Sequence, residues 1–148
     1  MTRTELLAFM RSHRNAVQAS VSPRGAVQAA VVGIAVTDAF EIVFDSLQTT
    51  RKARNLADNP HVAFVLGGWT PGDERTVQYE GMVDRPQGAE LEVLKAVYYA
   101  TFPDGRGRTA WPGHIYLRAR PTWMRYTDFN KSPVETFELD KDQMNALE

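Results

Sequence analysis

A cluster of cations and hydroxyl groups lies in the stretch QTTRKARNLADNP, Gln48 to Pro60. Thr49 or Thr50 can cap a helix that begins there, and the Asn-Pro pair ends it. Arg51 and Lys52 then fall in the first turn, where unpaired backbone N–H groups and the helix macrodipole already favour negative charge. These residue types in this order predict an anion site, and a dianionic phosphate matches such a set of donors.

The same charges allow a plainer interpretation. Each cation at a helix start costs about 0.3–1 kcal/mol, which is small enough for a solvated basic face to tolerate. A basic helix of this kind can also contact an acidic partner protein. The residues of the stretch leave the anion site, the solvated face and the protein contact open.

Other chemistries have little support in the sequence. The chain has no cysteine, which excludes disulfides, thiolate metal sites and cysteine nucleophiles. His13, His61 and His114 fall in different predicted elements, so we expect no metal site. No glycine-rich nucleotide loop or serine-nucleophile motif is present, and Asp45-Ser46 with His61 lacks the spacing of a triad. The sequence therefore predicts no particular catalytic side chain.

Composition limits the partners. A formal net charge of −1 over 148 residues argues against a general nucleic-acid binder. No apolar run approaches the length of a membrane span, and the short apolar stretch near the N-terminus is broken by charge. We expect one cytoplasmic domain over residues 1–148 without a membrane partner, in which residues 133–148 form an acidic tail.

The elements that must position the basic helix are mainly strands. An amphipathic helix is predicted over Thr4–His13, and apolar runs on both sides of a Pro-Arg-Gly turn predict a hairpin. The second of these runs, Val27–Val36, is apolar on both faces and predicts a strand buried on both. Four further strands, the basic helix and a helix near residues 88–101 complete the pattern. Six strands with short connections predict an antiparallel closed barrel with flanking helices.

This order of elements, with its motifs, resembles a known family. Thr49-Thr50, Arg51-Lys52, Leu56 and Asn59-Pro60, followed by a strand, match the pattern of the FMN-binding split-barrel family typified by pyridoxamine 5′-phosphate oxidase. The N-terminal helix, the SPRGAVQAAVV hairpin and the later strand with its Glu-Gly pair match as well. The resemblance covers about residues 4–130 and implies a mainly β, six-stranded antiparallel split β-barrel.

The resemblance also implies a cofactor and a partner. Members of the family are homodimers that hold FMN at the subunit interface, so a homodimer, FMN and a small-molecule substrate are expected. Arg51 and Lys52 would grip the phosphate, and small side chains on the second hairpin strand would let the flat ring approach the backbone. The residues that the resemblance places around the cofactor are Gln28, Ala29, Ala30, Val31, Asp45, Ser46, Thr49, Thr50, Arg51, Lys52, Thr76, Gln78, Trp111 and Arg125.

Two departures from the oxidase itself affect the expected activity. Thr76 replaces a glutamine that is common in the oxidase, and the chain ends FELDKDQMNALE, without the Arg-Leu-x-Pro segment that grips the oxidase's substrate. The resemblance therefore implies an FMN-dependent oxidoreductase with a different substrate. The alternative is a protein that holds flavin, or a deazaflavin, as a carrier or redox sensor without turnover.

Overall fold

The strands of the computed structural model, which describes residues 1–148, form one antiparallel sheet. The sheet has eight strands, where the sequence predicts six. The strands are β1 (Asn15–Val21), β2 (Val27–Gly33), β3 (Ala35–Val36), β4 (Ile42–Leu47), β5 (His61–Gly67), β6 (Arg75–Asp84), β7 (His114–Asp128) and β8 (Glu135–Asp140). The helices are α1 (Arg3–Arg11), α2 (Arg51–Asp58), α3 (Gly88–Thr101), α4 (Gly105–Arg108) and α5 (Lys141–Ala146).

The sheet curls into a barrel. Its strand order is β2-β1-β5-β6-β7-β4-β3, and only Ile34 separates β2 from β3 in the chain. The two ends of the order are therefore consecutive in sequence, which brings the edges of the sheet together. β7 pairs with β6 along one side, and with β4 and then β8 along the other. The predicted split-barrel fold is confirmed.

Two features account for the extra strands. The predicted strand over Val27–Val36 is divided at Ile34 into β2, which pairs with β1, and β3, which pairs with β4. The acidic tail supplies β8, where Leu139 pairs with Met124 of β7 and is 8% exposed. The tail therefore packs against the barrel of its own chain.

A register shift marks the middle of the β6–β7 pairing, next to Pro121. Gly81 of β6 lies opposite Pro121, and the preceding residue lies opposite Trp123, so β7 carries one extra residue. A Cβ atom on Gly81 would lie 2.5 Å from the Arg120 carbonyl oxygen. The glycine of the Glu-Gly pair thus allows the close strand approach that the bulge requires.

The barrel interior forms the main core of 25 buried residues. Helix α1 begins with a capping box between Thr2 and Glu5 and adds four of these residues, Leu6, Leu7, Phe9 and Met10. Helix α2 adds Ala53 and Leu56. A second cluster, which includes Leu94 and Tyr98 of α3, packs on the outer side of β3, β4 and β7.

The prediction that β2 is buried on both faces is wrong for the single chain. Val27 is 74% exposed and Val31 is 72% exposed. Their side chains point outward, because the opposite face of β2, including Val32 at 6% exposure, faces the core. β2 is thus an apolar strand without a covering layer on its outer side.

Candidate functional site

The start of α2 is held by hydroxyl groups. Thr50 is the N-cap residue, and its Oγ1 accepts a hydrogen bond from the Ala53 backbone N–H at 3.3 Å. The Ser46 hydroxyl at the end of β4 lies 2.8 Å from the Thr50 hydroxyl. The strand and the helix cap are therefore tied together, and the direction of the helix start is fixed relative to the sheet.

The positive charge at this helix start is not neutralised within the chain. The first turn contains no acidic residue. Arg51 is exposed and Lys52 is half-buried, and neither takes part in an ion pair. Their backbone N–H groups also lack intrahelical acceptors, as in the first turn of any α-helix. The two side chains, the two amides and the helix dipole together favour an anion at this position.

A cavity of about 360 Å³ opens at the helix start. It lies between α2 and the β1–β2 hairpin. Its lining consists of Gln18, Ser20, Gln28, Ala29, Ala30, Thr50, Arg51 and Lys52. Six of these eight side chains are polar or charged, so the cavity suits a ligand with many hydrogen-bonding groups.

Amide side chains form the inner part of this cavity. The Asn55 side chain on α2 is buried, and its Nδ2 donates to Ser20 Oγ at 3.1 Å and to Gln28 Oε1 at 2.7 Å. Gln18 on β1 is 2% exposed, and neither its Nε2 nor its Oε1 has a hydrogen-bond partner. A buried amide without partners costs free energy, so Gln18 is a polar group suited to a ligand.

An apolar face adjoins the cavity on the outside of the sheet. Ala29 lines the cavity and belongs to β2, whose exposed valines lie on either side of it. The strand registers align this face in two rows across β2, β1 and β5, namely Val31–Val17–Val65 and Ala29–Ala19–Ala63. Polar cavity and apolar face therefore meet at β2.

The structure brings six of the sequence-predicted site residues into one cavity, namely Gln28, Ala29, Ala30, Thr50, Arg51 and Lys52. The Ser46 hydroxyl forms a hydrogen bond with the hydroxyl of the cap residue Thr50. Thr49 is exposed in the turn before α2, and Val31 lies on the apolar face. These three surround the cavity without lining it.

The remaining predicted residues lie elsewhere on the same chain. Gln78 of β6 is exposed and pairs with Arg125 of β7 on the outside of the sheet, where Arg125 forms an ion pair with Glu138. Thr76 precedes Gln78 on β6. Trp111 is 54% exposed in the loop after α4. A single chain does not bring these four residues to the cavity.

Asp45 faces the cluster beneath α3 and not the cavity. Its carboxylate accepts hydrogen bonds from Tyr98 Oη at 2.9 Å and Arg108 Nε at 3.0 Å, and lies 2.9 Å from His114 Nε2. Burial alone would raise the pKa of Asp45, but the hydrogen bonds outweigh it and hold the pKa below its ordinary value. The pKa of Tyr98 is raised, mainly by burial and next by the hydrogen bond of its hydroxyl group to Asp45. In this chain Asp45 anchors α4 and the following loop to β4.

Sequence reasoning missed Gln18, Ser20 and Asn55. A signal was present in β1, because Ala16, Gln18 and Ser20 face inward while Val17, Ala19 and Val21 are only half-buried. Polar residues on the inner side of a strand invert the usual pattern and indicate an internal polar site. Asn55 gave no signal, because its role depends on contacts with residues 35 and 27 positions away.

The curled antiparallel sheet, with a cation-bearing helix start beside its first hairpin, defines the split-barrel class of proteins. A family model described as pyridoxamine 5′-phosphate oxidase matches residues 2–128 of the 148. The chain therefore belongs to the pyridoxamine 5′-phosphate oxidase family. No match was found among curated proteins.

Solved structures share the fold at low sequence identity. A haem-binding protein from Mycobacterium smegmatis aligns with a TM-score of 0.82 and 15% identity, over 99% of this chain and 61% of that protein. A pyridoxamine 5′-phosphate oxidase-related, FMN-binding protein from Nostoc punctiforme aligns with a TM-score of 0.66 and 13% identity, over 93% of both chains. ChuZ from Campylobacter jejuni aligns with a TM-score of 0.78 and 10% identity, over 95% of this chain and 59% of that protein.

These neighbours differ in length and in what they bind. The present chain spans less than two thirds of the M. smegmatis protein and of ChuZ, but nearly all of the N. punctiforme protein.

No helix is long and apolar enough to cross a membrane, and no group of three or more acidic or histidine side chains could hold a metal ion.

Proposed function

We propose that this protein binds FMN, with the phosphate at the start of α2, and acts as an FMN-dependent oxidoreductase on a small molecule. The observation that carries the proposal is the helix start itself. Thr50 caps it, Arg51 and Lys52 have no acidic partner, and it opens into a polar cavity. A phosphate dianion would receive charge-assisted hydrogen bonds from both side chains and from the free backbone amides.

The lining of the cavity favours FMN over haem. Haem iron is held by histidine, cysteine, methionine or tyrosine, and the lining contains none of these. Six polar or charged side chains would also surround a largely apolar macrocycle. FMN combines a phosphate, a chain of hydroxyl groups and a flat ring, and these parts match the helix start, the amides and the small residues Ala29 and Ala30.

The exposed face of β2 supports a homodimer as part of this proposal. Val27 and Val31 are about three-quarters exposed and continue into the rows of small apolar residues on β1 and β5. The face adjoins the cavity at Ala29, so a second copy of the chain seated on it would also cover the flavin. In that arrangement Thr76, Gln78, Trp111 or Arg125 of the second copy can approach a cavity that they do not reach in their own chain.

The division of labour in the proposed enzyme follows from the side chains present. When bound, the flavin supplies the redox chemistry. The chain positions the cofactor through Arg51, Lys52 and the hydroxyl groups, and no side chain need act as a nucleophile. The alternative is a carrier or sensor that holds FMN or a deazaflavin without turnover. Reduction by a nicotinamide followed by reoxidation with candidate acceptors separates an enzyme from a carrier.

The experiment that tests the proposal starts with the purified protein. Its absorption spectrum and the mass of the small molecule released on denaturation identify the cofactor, since FMN, a deazaflavin and haem differ in both. The protein without cofactor is then titrated with FMN, riboflavin and haemin. FMN should bind with 1:1 stoichiometry per chain and more tightly than riboflavin. A colourless protein that binds no FMN on titration would overturn the proposal.

A further inference from the structure

Gln18 is the most unusual polar residue in the chain. It faces the interior of the barrel from β1, is 2% exposed, and is the one residue whose buried side-chain atoms have no hydrogen-bond partner. It lines the same cavity as Arg51 and Lys52. Buried amides are nearly always satisfied by protein, water or ligand groups, so a fully unpaired one in a cavity points to a ligand.

The neighbouring amides define what kind of group fits there. Asn55 uses both hydrogens of its Nδ2, one toward Ser20 Oγ and one toward Gln28 Oε1. Gln28 Oε1 thereby accepts one hydrogen bond from within the chain, and its Nε2 remains a donor on the cavity wall. Gln18 offers one donor and one acceptor group. The inner wall therefore presents donors and an acceptor but no charge, which suits neutral groups that both donate and accept.

The position of these amides relative to the helix start identifies the part of the ligand. Asn55 follows Arg51 by four residues, which is about 6 Å along the helix axis. Gln28, which accepts a hydrogen bond from Asn55, and Gln18 line the same cavity as Arg51 and Lys52, so a ligand with its phosphate at the helix start can present its following atoms to these two amides. Hydroxyl groups both donate and accept hydrogen bonds, and a chain of them following the phosphate matches the wall.

We propose that Gln18, with Gln28, binds a polyol chain that adjoins the phosphate, and that the site therefore selects phosphorylated polyols, the class that includes the ribityl phosphate of FMN. This inference rests on the phosphate position proposed above. It assigns Gln18 to ligand recognition and explains why an apolar residue does not occupy this inward position. A phosphate ester without a polyol chain gains nothing from the two amides.

The test replaces Gln18 by methionine, which has the same length and is unbranched but lacks the donor and the acceptor. Dissociation constants are measured for FMN, for riboflavin, which has the polyol without the phosphate, and for pyridoxine 5′-phosphate, which has the phosphate without the polyol. Gln18→Met should weaken FMN and riboflavin by the same factor, about 3- to 10-fold per lost hydrogen bond, and leave pyridoxine 5′-phosphate unchanged. The matched control is Gln87→Met, because Gln87 is exposed before α3 and makes no cap hydrogen bond.

A second measurement does not depend on the ligand. The ligand-free Gln18→Met protein should melt at a higher temperature than the wild type, because the unpaired buried amide is removed. Saturating FMN should narrow or reverse this difference in melting temperature, because the ligand supplies partners to Gln18 only in the wild type.

The outcomes separate this inference from the proposed function. If the wild type binds no FMN, the proposed function fails. If FMN binds but Gln18→Met leaves the dissociation constants of FMN and riboflavin unchanged, the polyol assignment is overturned while the phosphate site stands. An equal loss for pyridoxine 5′-phosphate would also overturn it, since Gln18 would then act on the phosphate end.

Discussion

Replacement of Arg51 and Lys52 by alanine should change the free protein and its complex in opposite directions. In the free protein both cations oppose the helix dipole without an acidic partner, at about 0.3–1 kcal/mol each. Because Arg51 is exposed, solvent screens its charge, and the two cations together cost the ligand-free protein about 1 kcal/mol of stability. Alanine adds to the gain, because it has the highest helix propensity. The variant without ligand should therefore melt about 2–4 °C higher than the wild type.

The complex should lose affinity. Each charge-assisted hydrogen bond to the phosphate contributes about 1.5–3 kcal/mol, and solvent screening at exposed Arg51 places the pair near the lower end. The expected loss is about 3 kcal/mol, which is roughly 150-fold in the dissociation constant of FMN. Riboflavin lacks the phosphate and should bind the variant and the wild type equally well.

The assay is a titration followed by flavin fluorescence or calorimetry, at low and high salt. Arg54→Ala is the matched control, because Arg54 is exposed on the same helix but does not line the cavity. The Arg54→Ala control should leave the dissociation constant of FMN unchanged. The FMN affinity of the wild type should fall more steeply with salt concentration than that of the double variant. An unchanged FMN affinity in the double variant, or an equal loss for riboflavin, would refute the assignment of the phosphate to the start of α2.

Three further predictions concern the frame around the site. Asp45→Asn should lower stability at pH 7 by about 2 kcal/mol. Because the folded-state pKa of Asp45 is lowered, its contribution is present above roughly pH 4 and is lost as the pH falls through the folded value, so melting curves of variant and wild type should converge in acid. Asp84→Ala removes the bidentate partner of Arg118, whose side chain is 5% exposed, and should cost about 3 kcal/mol in chemical denaturation. Retention of full stability would show that Glu90 and Glu41 together satisfy the guanidinium. Val31→Lys should convert the proposed dimer to a monomer in light scattering without unfolding it, and an unchanged mass would exclude this face as the interface.

The local parts of the fold could be predicted from the sequence. A helix cap at Thr49 or Thr50, a helix end at the Asn-Pro pair and the hairpin turn depend on residues close to one another, and the structure confirms them, with Thr50 as the cap and Asp58 as the last residue of α2. These signals arise from backbone chemistry within one or two turns, which a short window contains. The order of the elements predicted a barrel, and the resemblance of this order and its motifs to a known family predicted the split-barrel fold.

Features that depend on distant contacts were not predictable in the same way. The apolar run at Val27–Val36 indicates a covered strand, but a pattern cannot say whether the cover belongs to the same chain, and β2 is exposed. The tail lacked a strong strand pattern, because β8 buries few side chains and is held by its pairing with β7. The unpaired state of Gln18 likewise becomes visible only when the opposite wall of the cavity is in place.

The central position of β7 has a consequence for the order of folding. β7 supplies no residue to the cavity, yet it is the strand that joins β4, β6 and β8. Ile42 of β4 pairs with Ala119, which lies far along the chain, so this pair cannot form until β7 has been synthesised. Pairings between residues so distant in sequence also form slowly. During synthesis the cavity walls precede the strand that locks them, so a chain interrupted before β7 would expose the edges of β4 and β6. Core substitutions in β7 should therefore reduce the yield of cofactor-loaded protein by trapping incomplete barrels, even though none of them touches the cofactor.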